Sequence, residues 1–191
     1  MIQKYGQDKY KQWHSPNHNA RPAGTVVDTV VIHNISLPPD DLSPRWVRAL
    51  FTNQLPAHKH PYFQTIAGLR VSAHFYIARN GRIVQCVPLH RRAWHAGKSS
   101  FTAHDGPREN VNHSSIGIEL AGTDSHPFTL SQYQSLAKLL SRIGAQFPLR
   151  HVLGHSNIAP GRKTDPGECF DWAHLQVRIS PSIQSKWQWR V

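Results

Sequence analysis

One turn signal limits the fold of this chain more than any other feature. In "VSAHFYIARNGRIVQCVP", Val71 to Pro88, the dipeptide Asn80-Gly81 separates two runs rich in aromatic and β-branched residues. Such a dipeptide turns a chain back on itself, because both residues tolerate backbone angles that others avoid, and the segment reads as a hairpin. A second β-branched run, "TVVDTVVIH" from Thr25 to His33, is bounded by Gly24 and by the polar "NISLPPDD". It reads as a buried strand ending in a histidine. "SSIGIELAG" gives another strand, with Ile116, Ile118 and Leu120 on one face and Gly117, Glu119 and Ala121 on the other. Glu119 therefore points away from the large apolar side chains, and taken in isolation it reads as a carboxylate on the polar face of an edge strand.

Helical signals lie between these strands. Thr129 followed by Gln132 is a capping-box pattern, and Tyr133, Leu136, Ala137, Leu140 and Ile143 follow at helical spacing, which predicts a helix from Leu130 to Gln146. Ser43-Pro44 starts a short helix that runs to about Asn53, with Trp46, Leu50 and Phe51 on its buried face. The His- and Pro-rich segment from Gln54 to Arg70 reads as an irregular loop. "RHVLGH" reads as a short strand ending at His155, and Asp171 as the cap of a last helix through Val177. Strands and helices mix without regular alternation or internal repeats, which predicts an α/β (mixed α+β) fold with a central mixed β-sheet flanked by helices. At 191 residues the chain fits a single domain, 1–191.

Charge narrows the partners. The 22 Lys+Arg against 11 Asp+Glu leave a net charge of +11, which suits an anionic partner. The basic residues are scattered, without the runs of a nucleic-acid arm, so no nucleic-acid partner is expected and a small anionic ligand is favoured. The N-terminus "MIQKYGQDKYKQWHSPNHNARP" lacks the apolar core of a signal peptide, and no window is apolar enough to span a membrane. The expectation is a cytoplasmic monomer without a membrane partner. In a reducing compartment, Cys86 and Cys169 are expected to be free thiols.

The chemistry concentrates in "GHSNIAPGRKTDPG", Gly154 to Gly167, a polar segment braced by Pro160, Gly161, Pro166 and Gly167. Such a loop can aim side chains in fixed directions without forming helix or strand. His33 and His155 each end an apolar run, and Asp165 lies ten residues beyond the second. Two imidazoles and a carboxylate, with a fourth position left to water, are a common ligand set for catalytic zinc. Among 14 histidines many such sets can be assembled. His58, His60, His104, His113, His126 and His151 read as solvated or hydrogen-bonded side chains. Lys163 beside Arg162 reads, alone, as a solvated charge pair.

The segments "VVIHNISLPP", "HPYFQTIAGLRVSAHFYIARNGRIVQCVP", "RAWHAGKSS", "SIGIELAGTD" and "GHSNIAPGRKTDPGECFDW" resemble successive blocks of the AmpD-type amidases, within the zinc-dependent N-acetylmuramoyl-L-alanine amidase superfamily. The blocks run in order from about residue 26 to 172. The resemblance implies Zn2+ held by His33, His155 and Asp165, the carboxylate marking the AmpD branch where many phage amidases carry Cys. Glu119 matches the family's catalytic acid/base, and Lys163 the residue that stabilises the oxyanion. Asn34, Tyr62, Arg70, Trp94 and Arg162 match positions around the sugar and stem peptide. Where relatives often carry Arg before "SIGIE", this chain has Asn110, leaving Arg108 to supply the contact. The implied reaction cleaves the amide between (1,6-anhydro-)N-acetylmuramic acid and L-alanine of the stem peptide, in cytoplasmic peptidoglycan recycling. A lytic amidase acting on intact murein is the alternative. A non-catalytic binding module would lack a ligand or the acid, and this chain has all four residues.

Overall fold

Among the described residues, 10–189 of a computed structural model, seven strands form the central sheet. They are β1 (Lys11–Gln12), β2 (Thr29–Ile35), β3 (Phe75–Ile77), β4 (Ile83–Gln85), β5 (Ser115–Ala121), β6 (His151–Gly154) and β7 (Gln188–Trp189). Their order across the sheet is β1-β4-β3-β5-β2-β6-β7, and every neighbouring pair is parallel except β3 with β4. The opening residues 1–9, part of the polar segment read above, lie outside the described residues. The expected mixed sheet is present.

The hairpin β3–β4 turns where Asn80-Gly81 requires it. Gly81 has φ +79°, and a Cβ there would lie 2.6 Å from the carbonyl oxygen of Ser131, so both the backbone angle and the close approach demand glycine. The β-branched strand starts later and ends later than expected, at Thr29 and Ile35, so His33 lies inside β2 rather than at its end.

Alternation along β2 and β5 divides the core in two. Val30, Ile32, Ile116, Ile118 and Leu120 face the long helix, with Tyr133, Leu136, Leu140 and Ile143 packed on them. The opposite face carries Val31, His33, Gly117 and Glu119. Farther across the same side, Tyr76 and Val84 pack with Val47, Leu50 and Phe51 of α1 (Pro44–Phe51) and with Phe63 of α2 (Pro61–Thr65). Helix α2 and a preceding 3-10 turn, Ala57–Lys59, correct the reading of residues 54–70 as irregular. His60 explains α2: its Nδ1 accepts the Tyr62 N–H (3.1 Å) and Pro61 supplies a ready first helical turn.

Helix α3 spans Leu130–Gln146, with the Thr129/Gln132 capping box in place. Three short helices follow: α4 (His155–Ile158), α5 (Trp172–Gln176, capped by Asp171) and α6 (Pro181–Gln184). Cys86 and Cys169 are free. Among the described residues no helix is long and apolar enough to cross a membrane.

The Thr129 hydroxyl accepts the Gln132 N–H (3.2 Å) and donates to the Arg79 carbonyl (2.7 Å), joining α3 to the hairpin. Thr129→Ala is expected to lower the unfolding free energy by about 1–2 kcal/mol, and Thr129→Ser by little, in urea titrations. Equal loss in both variants would show that the hydroxyl is not what holds this junction.

Candidate metal centre and active site

The site lies at the carboxyl ends of three parallel strands, on the sheet face opposite α3. Register places its parts in one lateral row: Tyr76 of β3 pairs with Glu119 of β5, and Glu119 pairs with His33 of β2. Gly154, the last residue of β6, pairs with Ile32, so the next residue, His155, arrives beside His33. His155 is thus the first residue of α4 rather than the last of a strand.

Asp165 reaches the row through the braced loop. Its carbonyl accepts the Ser156 N–H (2.9 Å), and the N–H groups of Arg162 and Lys163 donate to the Ala159 carbonyl (3.1 and 3.0 Å). Asn34 Nδ2 ties the loop down from β2, donating to the Pro166 carbonyl (3.0 Å) and to Asp124 Oδ1 (2.6 Å).

Three ligand atoms converge as a result. His33 Nδ1, His155 Nδ1 and Asp165 Oδ2 lie 3.0 Å from one another on all three edges. His155 Nε2 faces the Ala96 carbonyl at 3.2 Å, which can only accept, so in the neutral ring Nδ1 presents a lone pair to the cluster. His33 likewise has its Nε2 engaged, 3.0 Å from His95 Nδ1. Three electron-rich atoms this close repel one another unless a proton or a metal cation joins them. Tetrahedral zinc with bonds of roughly 2.0–2.1 Å sets neighbouring ligand atoms roughly 3.3 Å apart, which this triangle meets within a few tenths of an ångström. The residues fit the ion.

Charge states agree with that fit. Burial pushes His33 down to about 4, against a weaker opposing pull from Asp165, so the ring is neutral and free to ligate at neutral pH. Burial of Asp165 opposes its ionisation, yet the two imidazoles hold its carboxyl well below the usual carboxylate range. Glu119 goes the other way: burial first, and then the charge of Asp165, raise it well above an ordinary glutamate. It is 9% exposed, on a central strand rather than the expected edge, and its Oε2 has no hydrogen-bond partner. A buried carboxyl with a free oxygen and a raised affinity for protons suits general acid/base work.

A cleft of about 310 Å³ opens over this row. Glu119, Asn34 and Lys163 line it together with the three candidate ligands, and Leu37, Phe51, Tyr62 and Leu69 form an apolar side. Arg70, Trp94 and Arg162, expected around the substrate, are not among its lining residues. Trp94 Nε1 donates to Asn19 Oδ1 (3.2 Å), and Arg162 Nη2 donates to the carbonyls of Ala96 (2.9 Å) and Lys98 (2.6 Å). Arg108 is also engaged away from the cleft, by Asp105 Oδ1 at 2.7 Å. His95, in the block "RAWHAGKSS", carries no local signal in the sequence to separate it from the other histidines.

Residues 22–168 match the N-acetylmuramoyl-L-alanine amidase family. The chain is 48% identical over 170 residues to the 1,6-anhydro-N-acetylmuramyl-L-alanine amidase AmpD of Citrobacter freundii, covering 88% of this chain and 89% of that protein. Its fold is similar to the crystal structure of a selenomethionine derivative of AmpD (TM-score 0.86, 43% identity, 94% of this chain and 99% of that one). A more distant likeness is to the Escherichia coli amidase AmiD in complex with the substrate anhydro-N-acetylmuramic acid-L-Ala-D-γ-Glu-L-Lys (TM-score 0.58, 27% identity, 99% of this chain and 63% of that one).

Buried histidines, among them His33, His74 and His95, give the metal-free fold a pH dependence. Burial lowers His33 to about 4, His74 to about 3 and His95 well below the ordinary 6.5. Between those values and 6.5 the unfolded chain binds more protons than the folded one, so stability is full above about pH 6.5 and falls with the pH. Glu119, raised instead, offsets part of this. Urea midpoints of chelator-treated protein should drop between about pH 7 and pH 4, and a flat or rising trend would show that these rings are not buried neutral.

Proposed function

The chain belongs to the N-acetylmuramoyl-L-alanine amidase family, and within it we propose that this protein hydrolyses the amide joining (1,6-anhydro-)N-acetylmuramic acid to L-alanine of the stem peptide. The setting is the recycling of soluble cell-wall fragments in the cytoplasm. The observation that carries the chemistry is the convergence of His33, His155 and Asp165 at 3.0 Å edges beside the unpartnered carboxyl oxygen of Glu119. The substrate is supported by near-full-length similarity to an amidase named for it.

His33, His155 and Asp165 hold zinc. When bound, the ion supplies Lewis acidity to the amide carbonyl and makes a water molecule acidic enough to attack at neutral pH. Glu119 takes the proton of the attacking water and delivers it to the leaving L-alanine nitrogen, a task for which its raised affinity for protons is suited. Lys163, an exposed lysine on the cleft wall, brings positive charge to the oxyanion that develops on the carbonyl. Tyr62 and Asn34 line the same cleft and would meet the substrate there. Arg162 acts indirectly, by bonding the Asp165 loop to the carbonyls of Ala96 and Lys98. The protein's net charge of +11 favours a ligand bearing several carboxylates.

The test is mass-spectrometric detection of peptide released from anhydro-muropeptide, set against release from intact sacculi. The expected result is hydrolysis of the soluble substrate, lost to chelator and restored by zinc, with sacculi turned over far more slowly. Preference for sacculi would make the protein a lytic amidase, and no hydrolysis of either would overturn the reading. Lys163→Ala should lower kcat by roughly a few hundredfold, about 3 kcal/mol of barrier, while keeping its zinc. Loss of zinc, or an unchanged rate, would remove Lys163 from this role.

A further inference from the structure

Zinc-binding imidazoles are held in orientation by whatever their second ring nitrogen meets. In this protein they are met by two adjacent residues, one for each ring. His33 Nε2 lies 3.0 Å from Nδ1 of His95, and His155 Nε2 lies 3.2 Å from the carbonyl oxygen of Ala96. The His95-Ala96 pair is itself pinned: Asn112 Oδ1 accepts the N–H of His95 (3.1 Å) and of Ala96 (2.9 Å), and Arg162 from the Asp165 loop donates to the Ala96 carbonyl. Beneath it lies Gly117 of β5, where an added Cβ would sit 2.4 Å from the His95 ring. The ring occupies the space that a side chain at position 117 would need.

We propose that His95 is a positioning residue of the metal centre, holding His33 with Nδ1 turned to the ion while the adjoining Ala96 carbonyl does the same for His155. The inference rests on the reading that His33, His155 and Asp165 hold zinc. Proton positions follow from the hydrogen-bond network. With Nδ1 of His33 on the metal, its single proton is on Nε2, so His95 Nδ1 accepts. With its Nδ1 accepting, the proton of the His95 ring is on Nε2, 3.0 Å from Ser115 Oγ. The chain His33, His95, Ser115 thus has one direction when metal is bound. His95 does not itself ligate in this arrangement, because its Nδ1 is occupied by His33.

Zinc affinity separates this role from simple packing. The dissociation constant is measured by competition with a chromophoric chelator for the wild type, His95→Phe and His95→Asn, with apo-state thermal unfolding recorded for each. Phenylalanine keeps the ring volume and removes the acceptor, whereas the Asn carbonyl can take the place of Nδ1. Zinc binding should weaken about 10- to 100-fold in His95→Phe and recover most of that in His95→Asn. A folded His95→Phe with wild-type zinc affinity overturns the inference. Should His95→Phe not fold, imidazole nitrogen NMR of the zinc-loaded wild type decides: the His95 proton on Nε2 supports the inference, and on Nδ1 overturns it. Wild-type protein that binds no zinc would instead overturn the metal reading itself, and this inference with it.

Discussion

The parallel pairing of Thr29–Ile35 with Ser115–Ala121 is the constraint on which the rest of the structure depends. It sets His33 opposite Glu119, and with them the metal-binding and proton-handling ends of one site. Because side chains alternate, a slip of one residue in either strand would send that partner into the apolar face packed on α3. Ile32 and Ile118, on that face, are fully buried. Their burial in the α3 layer therefore holds the polar row in register on the other side. The polar row is costly to bury without partners, and the apolar layer beneath it supplies the stabilisation that makes the row affordable.

Around that pair the chain brings in the remaining parts from distant positions. Strand β6 delivers His155, and the loop after α4 folds Asp165 back over it, tied to β2 through Asn34 and to the 95–98 segment through Arg162. Asn34 and Arg162 were expected to meet the substrate. Their hydrogen bonds also serve the loop that carries Asp165, and Asn34 lines the cleft. The electrostatics follow from the same enclosure. Burial is the largest cause both of the lowered proton affinity of His33 and of the raised proton affinity of Glu119, so a good ligand and a good proton carrier arise from one physical cause acting on a base and on an acid.

Much of this was legible in the sequence where a local rule acted. Thr129 and Gln132 marked the start of α3, Asn80-Gly81 marked the hairpin, and alternation in "SIGIEL" put Glu119 away from the isoleucines. His33 and His155 ended apolar runs and Asp165 lay in the braced loop, but among 14 histidines it was the family resemblance that singled these three out. Tertiary placement was not legible. Nothing local says that Ser115–Ala121 is a central strand with neighbours on both sides, so Glu119 read as an edge residue until β2 and β3 flanked it. His95 was hidden for the same reason: what distinguishes it from other histidines is the space left by Gly117, 22 residues away in the chain and visible only once both are packed. Helix α2 was missed because His60 caps it, a role usually taken by Ser, Thr, Asp or Asn.

The central claim is that the sheet register and the loop together build a three-ligand metal site. X-ray absorption at the zinc edge of the purified protein, with zinc content measured alongside, tests it most directly. The expected result is one zinc per chain bound by two imidazole nitrogens and one carboxylate oxygen at about 2.0–2.1 Å, with no sulfur and no third imidazole. A zinc-free but active protein, a sulfur ligand from Cys169 or a third imidazole from His95 would each contradict it.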